Sequence, residues 1–144
     1  MQEQNFKNHS RLVPMFHYVA FTAALFPFVM SIIHFIQSVM NGSGRLCAAA
    51  TVSLVAAVIL GLWYSRVFAL KAQDRAIRAE ENLRHFAMTG KLLDSRLRMG
   101  QVIALRFASD AEFVALANKA ADQNMSAKDI KMAIQNWKED NNRV

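Results

Sequence analysis

Four histidines carry the most recognisable chemistry of this 144-residue chain, because imidazole binds metal ions and transfers protons near neutral pH. His17 and His34 lie in one apolar segment, 17 positions apart, which corresponds to ~25 Å along a helix. His9 and His85 have no cysteine or carboxylate at the spacing of a zinc site. The sequence therefore predicts no metal site. His34 stays a functional candidate, because a polar group inside an apolar segment often has a role.

Motifs of known catalytic chemistry are missing from the sequence. There is no nucleophile elbow, no Walker-type phosphate loop and no zinc-protease helix. The turn Asn41-Gly-Ser-Gly is too short for a phosphate loop and lacks the lysine that follows one. Asp74 and Arg75 could relay a proton, but charged positions on helices are usually solvated. We expect no catalytic residue, no cofactor and no enzymatic activity.

The net charge of +6 raises the question of a nucleic-acid partner. A nucleic-acid surface would need a basic face free of acids, with aromatic side chains for stacking. Asp74, Glu80 and Glu81 interrupt the central basic residues, so no nucleic acid is expected. The single cysteine, Cys47, cannot form an intrachain disulfide and gives no indication of an oxidising compartment.

The elements that position these residues follow from an uneven distribution of charge. Residues 12–44 contain no Asp, Glu, Lys or Arg, and after Arg45 none occurs until Arg66. Two charge-free segments of this length predict two membrane spans. By contrast, residues 71–144 carry 13 of the 17 basic groups and 10 of the 11 acidic groups. That part is expected to be soluble and helical.

The turn Asn41-Gly-Ser-Gly connects the two spans, which we place at about 14–40 and 46–65. Because this connection is short, the spans must be antiparallel neighbours in a helical hairpin. The loop carries only Arg45, whereas other basic residues lie beyond the opposite ends of the spans, so both termini are expected in the cytoplasm. The residues that set this topology and contact lipid headgroups are Lys7, Arg11, Arg66, Lys71, Arg75 and Arg78.

Three positions make the first span irregular or polar. Pro27 cannot donate a backbone hydrogen bond and leaves the carbonyl of Ala23 without its usual partner. Thr22, a neighbouring helix or a local kink could compensate. Thr22, Pro27 and His34 are the intramembrane candidates for a role in a pore.

The second span predicts a helix longer than the bilayer is thick. Residues 46–86 form an apolar run followed by a charged one, and one helix of that length would extend ~60 Å, about twice the ~30 Å hydrocarbon thickness. Half of it should project as a long cytoplasmic helix. Its small residues recur at every fourth position, as a helix-packing seam does. This seam could pack on the first span, on a second copy or on a partner protein, or arise by chance. Its residues are Ala49, Ser53, Ala57, Gly61, Ser65 and Ala69.

Beyond the spans, polar patterns predict where helices begin and end. Glu80 and Arg84 are spaced to form an i,i+4 ion pair, and Gly90 is a left-handed helix cap. Two short helical pieces broken near Gly100 should follow. Ser109 with Glu112 forms a capping box.

The last two predicted helices complete a small bundle. The first of them runs from the Ser109 capping box to about Gln123, and Ser126 opens the second. One apolar face of that second helix comprises Ile130, Ala133, Ile134 and Trp137.

Four long polar blocks occur in order along nearly the whole chain: QNFKNHSRLVPMFHYV, SRVFALKAQDRAIRAEENLR, QVIALRFASDAEF and IKMAIQNWKED. In these blocks the chain resembles an uncharacterised family of small bacterial membrane proteins. The resemblance implies a bacterial protein with two spans and a helical cytoplasmic C-terminal part. It implies no catalytic residue, cofactor or substrate.

Together these patterns predict an all-α membrane protein. We expect a cytoplasmic tail at 1–11, a transmembrane hairpin at 12–70, a cytoplasmic helix at 66–88 and a helical module at 89–144. The expected location is the bacterial inner membrane. The expected function is a non-enzymatic scaffold, anchor or accessory subunit that binds the lipid bilayer and forms a homo-oligomer or binds a membrane protein. The alternative is an oligomeric pore or transporter component.

Overall fold

Helices make up all the regular secondary structure in residues 5–6 and 13–140, the part that the computed structural model describes. A π-helical segment, Met15–Ala20, leads directly into the first α-helix. The all-α class predicted from the sequence is confirmed. The α-helices are α1 (Phe21–Asn41), α2 (Arg45–Thr89), α3 (Met99–Leu105), α4 (Asp110–Asp122) and α5 (Ala127–Ala133).

The first two helical segments are long and apolar. Met15–Asn41 and Arg45–Thr89, of 27 and 45 residues, are long and apolar enough to cross a membrane by length and composition. In the most apolar 18-residue stretch of each, only 6% of the residues are buried. The predicted single helix over residues 46–86 is confirmed. The chain divides into two compact units, one of Leu12–Ala69 and one that includes Leu70–Val144.

The connection between α1 and α2 is the predicted tight turn. Gly42 ends α1 in the left-handed conformation, with φ of 73°, which residues with a Cβ rarely adopt. The carbonyl of Gly44 accepts the first backbone bond of α2, from the N–H of Ala48 at 3.0 Å. Ser38 and Ala48 are both buried beside the turn.

The start of the first helix differs from a regular α-helix. Met15–Ala20 is π-helical, which the sequence did not predict. The Thr22 hydroxyl donates to the carbonyl of Tyr18, one turn earlier. Thr22 is therefore not the substitute partner of the Ala23 carbonyl that Pro27 leaves open. A hydroxyl bonds most easily to the carbonyl one turn back on its own helix.

The C-terminal unit has its own hydrophobic core, as expected for a small bundle. Helix α3 packs against both α4 and α5. Ala120 and Ile130 are fully buried on the facing sides of α4 and α5. The largest fully buried side chains are Phe107, Phe113, Leu105, Ile130 and Val102.

The segment between α2 and α4 contains one helix and not two. Helix α2 ends at Thr89, and Gly90 is a left-handed cap with φ of 73°, as predicted. Residues 91–98 are not helical, so the expected break near Gly100 is wrong, and Gly100 lies in the first turn of α3. The side chain of Gln101 accepts from the N–H of Arg98 at 2.7 Å and fixes the beginning of that helix.

Helix α4 begins where the sequence predicts, but its capping box is absent. Ser109 is the N-cap, and its side chain accepts no backbone bond. The Glu112 carboxylate instead accepts the N–H groups of Gln135 and Asn136, each at 3.0 Å. Gln135 and Asn136 follow the end of α5, so their N–H groups lie outside its helical bonds and donate to this carboxylate.

Helix α5 is shorter than predicted. Ser126 and Asp129 form the expected capping box, but the helix ends at Ala133, and Ile134 is extended. The next residues pair with the strand-like segment before α4, where the N–H of Lys138 donates to Phe107 at 2.8 Å. The Trp137 ring lies 5.2 Å from the Phe107 ring. The predicted helical face that includes Trp137 is therefore wrong, although the side chain still packs on the core.

Candidate interaction surfaces

A largely covered arginine joins α2 to α4 within the C-terminal unit. Arg84 Nη1 donates to Glu81 at 3.0 Å, Nε to Asp110 at 2.8 Å and Nη2 to the carbonyl of Ala108 at 2.8 Å. Its guanidinium carbon lies 4.2 Å from the centre of the Phe113 ring. The side chains of Arg84 and Glu81 are only 12% and 8% exposed. We call Arg84 and the four residues that it contacts the Arg84 cluster: Glu81, Ala108, Asp110 and Phe113.

The Arg84 cluster corrects the ion pair expected from the sequence. Glu80 was the predicted partner of Arg84, but Arg84 contacts Glu81 and Asp110 instead. Glu81 lies on the covered face of α2, whereas Glu80 is exposed. The arginine therefore turns inwards, where the carbonyl of Ala108 and the Phe113 ring add two further contacts.

His85 secures the end of α2. Its Nδ1 lies 2.7 Å from the carbonyl oxygen of Lys91, to which it donates when protonated at Nδ1. Its ring packs edge-on to Phe113 with centres 6.0 Å apart. The side chain is buried, and Thr89 donates to the carbonyl of His85 at 2.7 Å. These contacts give His85 a structural role at the C-terminal end of α2.

Arg106 is a buried arginine of the same C-terminal unit. Arg106 Nη1 is 3.1 Å from Asp140, and its guanidinium carbon is 4.7 Å from the centre of the Phe107 ring. Among residues 5–6 and 13–140, no three His, Cys, Asp or Glu side chains converge to hold a metal ion. Arg84, His85 and Arg106 thus connect parts of the C-terminal unit to one another.

Two carboxylates make the stability of this unit depend on pH. Hydrogen bonds from the side chain and backbone of Arg96 lower the pKa of Asp94 from 3.8 to about 2, and the Arg84 hydrogen bond lowers the pKa of Asp110. A pKa lowered by folding adds stability above the unfolded-state pKa, and this stability is lost as the pH falls through the folded-state pKa.

We therefore expect the free energy of unfolding to fall slightly as the pH drops from about 4 to about 2, because Asp110 and the Arg96 partner of Asp94 are exposed and water screens both pairs. Hydrogen exchange or thermal unfolding of the full chain across this range measures it. Asp94→Asn should remove part of this dependence of stability on pH. Asp110→Asn should remove another part. An unchanged slope in both variants would contradict the assignment.

The N-terminal half of α2 carries the predicted seam, and most of it is uncovered. Ser53, Ala57, Gly61 and Ser65 are exposed, whereas Ala49 is half-buried. Among the described residues, no atom apart from the adjacent backbone of α2 lies within 4 Å of the position that a Cβ on Gly61 would take. The Ser53 hydroxyl donates to the carbonyl of Ala49 at 2.9 Å, so its hydrogen is bonded within α2. The partner of this seam stays a prediction.

The topology residues are distributed over both units. Lys7 and Arg11 lie outside the described residues. The guanidinium carbon of Arg66 lies 5.6 Å from the centre of the Phe16 ring. Lys71 and Arg75 are exposed, and Arg78 is half-buried.

The three irregular positions of α1 do not share one face. Pro27 and His34 are both exposed and lie on nearly the same side of the helix. Thr22 is about 120° away at 100° per residue, and its hydroxyl is bound to Tyr18. The structure does not bring these residues together.

An apolar face that the sequence reasoning missed lies on the C-terminal half of α2. Ile77, Glu81 and His85 are buried on one side of this segment. On the opposite side, Leu83 and Phe86 are 67% and 51% exposed. We call five exposed apolar residues on that side the outer face of α2, and exposed Ala87 lies at its edge beside Glu80. The outer face comprises Ala72, Ala76, Ala79, Leu83 and Phe86.

The amino-acid sequence matches a recognised protein family. The sequence profile of the Family of unknown function (DUF6526) matches residues 1–144, the whole chain. The chain belongs to this family. No match was found among curated proteins or among solved structures. Membership of DUF6526 confirms the resemblance to an uncharacterised family and assigns no activity.

The sequence contained a pattern that predicts the outer face of α2. Its residues alternate spacings of four and three, the pattern of a coiled-coil seam. The Arg84 cluster had no comparable pattern, because Asp110 and Ala108 come from a distant part of the chain. Which of Glu80 and Glu81 faces inwards depends on where α4 packs.

Proposed function

We propose that this DUF6526 chain is an integral membrane protein that anchors a helical module at the cytoplasmic side of the bacterial inner membrane. The segment Met15–Asn41 and the N-terminal half of α2 cross the bilayer as an antiparallel hairpin. The C-terminal unit serves as a scaffold or accessory subunit and performs no catalysis.

One observation carries the membrane assignment. The most apolar stretches of both long helices have mean hydropathies of 2.1 and 2.3, yet only 6% of their residues are buried within the chain. The core helix of a soluble protein would be mostly covered. Leaving a large apolar side chain in water forgoes ~1.5–3 kcal/mol relative to burial. A lipid bilayer removes this penalty for both helices at once.

The orientation rests on charge. Arg45 is the one basic residue of the connecting turn, whereas Arg66, Lys71 and Arg75 follow the second apolar stretch and Lys7 and Arg11 precede the first. The positive-inside rule then places the turn outside and both termini in the cytoplasm. Exposed Lys71 and Arg75 are also available to anionic lipid headgroups.

The non-catalytic role rests on the side chains of the C-terminal unit. Its buried polar groups hold structural elements together: Arg84 joins α2 to α4, and Gln101 donates to the carbonyl of Met125 at 2.8 Å. Groups used in this way are unavailable to a substrate.

The pore alternative receives less support. It needs Thr22, Pro27 and His34 on a shared axis, but Thr22 lies on a different side of α1 and its hydroxyl is bound to Tyr18. We therefore favour an anchor over a pore.

A matched pair of arginine substitutions tests the membrane assignment. Leu54 lies near the middle of the proposed second span and Leu92 lies beyond it, and each is 66% exposed. In water the two changes would be similarly mild. At the centre of a bilayer, replacing leucine by arginine costs ~3 kcal/mol, so Leu54→Arg should sharply reduce the fraction that resists alkaline extraction from membranes. Leu92→Arg should leave that fraction unchanged.

Alkaline extraction and flotation of membranes from expressing cells provide the measurement. The unsubstituted chain is expected to stay with the membrane and to be released only by detergent. Release of the unsubstituted chain by alkali, or an equal effect of both substitutions, would refute the proposed membrane insertion.

A further inference from the structure

The C-terminal half of α2 has one face that is covered within the C-terminal unit and one exposed apolar face, the outer face of α2. The covered face contains Ile77, Glu81 and His85, which are 6%, 6% and 7% exposed. At 100° per residue the outer face of α2 is centred about 180° away. The apolar side chains of the outer face are therefore not the ones that pack on the core of the C-terminal unit.

The spacing of the outer face is that of a coiled coil. From Ala72 to Phe86 the residues step by four, three, four and three. This repeat keeps one seam turned towards a partner helix that winds around it. Three of the five residues are alanine, which allows two helix backbones to approach closely.

The charges beside the outer face indicate which partner fits. No charged residue lies on the face itself, whereas Arg75 borders one edge and Glu80 borders the other, and both are exposed. In the heptad notation Ala76 and Leu83 are a positions, Ala79 is a d position, Arg75 is g and Glu80 is the following e. In a parallel two-stranded coil, each g side chain lies next to the e side chain five positions later on the partner.

We propose that the outer face of α2 forms a parallel two-stranded coiled coil with the same face of a second copy of this chain. Arg75 of each copy then lies beside Glu80 of the other, which gives two equivalent ion pairs. Ala79 faces its counterpart across the two-fold axis. Leu83 and Phe86 pack against the same residues of the other copy at the C-terminal end of the outer face.

An antiparallel pair is disfavoured by the same charges. There, g positions face g positions and e positions face e positions. Arg75 would lie opposite Asn82 or Thr89, and Glu80 opposite Gln73, Ala87 or another Glu80. None of these contacts joins opposite charges.

Disulfide trapping of the full chain in its native membranes tests the proposal. The only cysteine, Cys47, is first replaced by serine to give a background without thiols. Ala79→Cys then places one thiol on the outer face of α2. Lys71→Cys places one at an exposed c position, on the outside of the proposed coiled coil. Because a disulfide needs Cα atoms within ~7 Å, oxidation should yield linked dimers for Ala79→Cys and only background for Lys71→Cys. Equal yields would show random collision and overturn the proposal.

Charge reversal provides a second and independent readout. Arg75→Glu, or Glu80→Arg, replaces two attractions by two repulsions and should weaken dimerisation about tenfold at low salt. The double variant Arg75→Glu with Glu80→Arg restores both pairs and should recover the dimer of the unsubstituted chain. Failure of the double variant to recover would overturn the parallel arrangement.

The remaining outcomes are also decisive. A monomer in mild detergent with no trapped Ala79→Cys dimer in membranes would mean that another molecule covers the outer face. Heterodimers trapped between an Ala72→Cys chain and a Phe86→Cys chain would show an antiparallel pair. Either result overturns the proposal, and neither depends on whether the chain resists alkaline extraction.

Discussion

Replacing Arg84 by alanine is expected to lower the free energy of unfolding of the C-terminal unit by about 3–5 kcal/mol, the usual cost of breaking a buried ion pair. The change leaves the Glu81 carboxylate, which is 8% exposed, without its cation at 3.0 Å. It also removes the donor to the carbonyl of Ala108 and the contact with the Phe113 ring. Hydrogen exchange of amides in α4, measured on the full chain in detergent, reports this loss.

The matched control for this prediction is another arginine with two carboxylate partners. Arg96 contacts Asp94 and Asp122 at 2.7 and 2.9 Å, but its side chain is 60% exposed. Exposed ion pairs contribute little to stability because water screens them. Arg96→Ala should therefore have a much smaller effect than Arg84→Ala. Equal effects of the two substitutions would show that burial of the Arg84 cluster does not set its contribution.

Replacing Phe113 by alanine should also destabilise the C-terminal unit by about 3–5 kcal/mol, the range for a large aromatic residue truncated in a core. Phe113 is fully buried, and its ring contacts both the Arg84 guanidinium and the His85 ring. Truncation thus opens a cavity where α4 meets α2. Denaturant unfolding of the full chain, followed by hydrogen exchange, measures the change.

The control for the Phe113 prediction is Leu92→Ala, at an apolar position that is 66% exposed. It should change stability only slightly, because no cavity forms. The double variant Arg84→Ala with Phe113→Ala should lose less than the two single losses added together, since the residues contact each other. Additive losses would show that the ring and the guanidinium act independently.

The long helices could be predicted because their pattern is local. The charge-free runs, the turn at Gly42 and the cap at Gly90 depend on neighbouring residues only, and each is found where the sequence placed it. The exception is the π-helical segment Met15–Ala20, for which the sequence contained no pattern that we recognised.

The C-terminal details were less predictable because they depend on distant contacts. Glu112 was expected to cap its own helix, but it accepts the N–H groups of Gln135 and Asn136. In the same way, the continuing apolar period indicated helix through Trp137, whereas pairing with Phe107 draws this segment out of the helix after Ala133. A local sequence pattern does not show which backbone groups from distant parts of the chain will lie next to a given side chain or segment.

The outer face of α2 shows a different kind of limit. Its four-three spacing is visible in the sequence, but an apolar stripe on a helix normally indicates the side that faces the core. Only the structure shows that Ile77 and His85 already supply a covered side, which leaves Leu83 and Phe86 without one. The exposure of a stripe depends on the packing of other elements.

The most direct test of the proposed hairpin asks on which side of the membrane two positions lie. Ser43 is exposed in the turn and Leu92 is exposed beyond α2. Each becomes the only thiol in a Cys47→Ser background as Ser43→Cys or Leu92→Cys. Leu92 is a better position for the cysteine than Gly90, because the φ of 73° at Gly90 strains any residue with a Cβ.

A membrane-impermeant thiol reagent is then added to cells whose outer membrane has been made permeable and whose inner membrane is intact. The proposed topology predicts that Ser43→Cys is labelled at once and that Leu92→Cys is labelled only after the inner membrane is opened. Labelling of both positions from the same side of the membrane, or of Leu92→Cys in intact cells, would contradict the account.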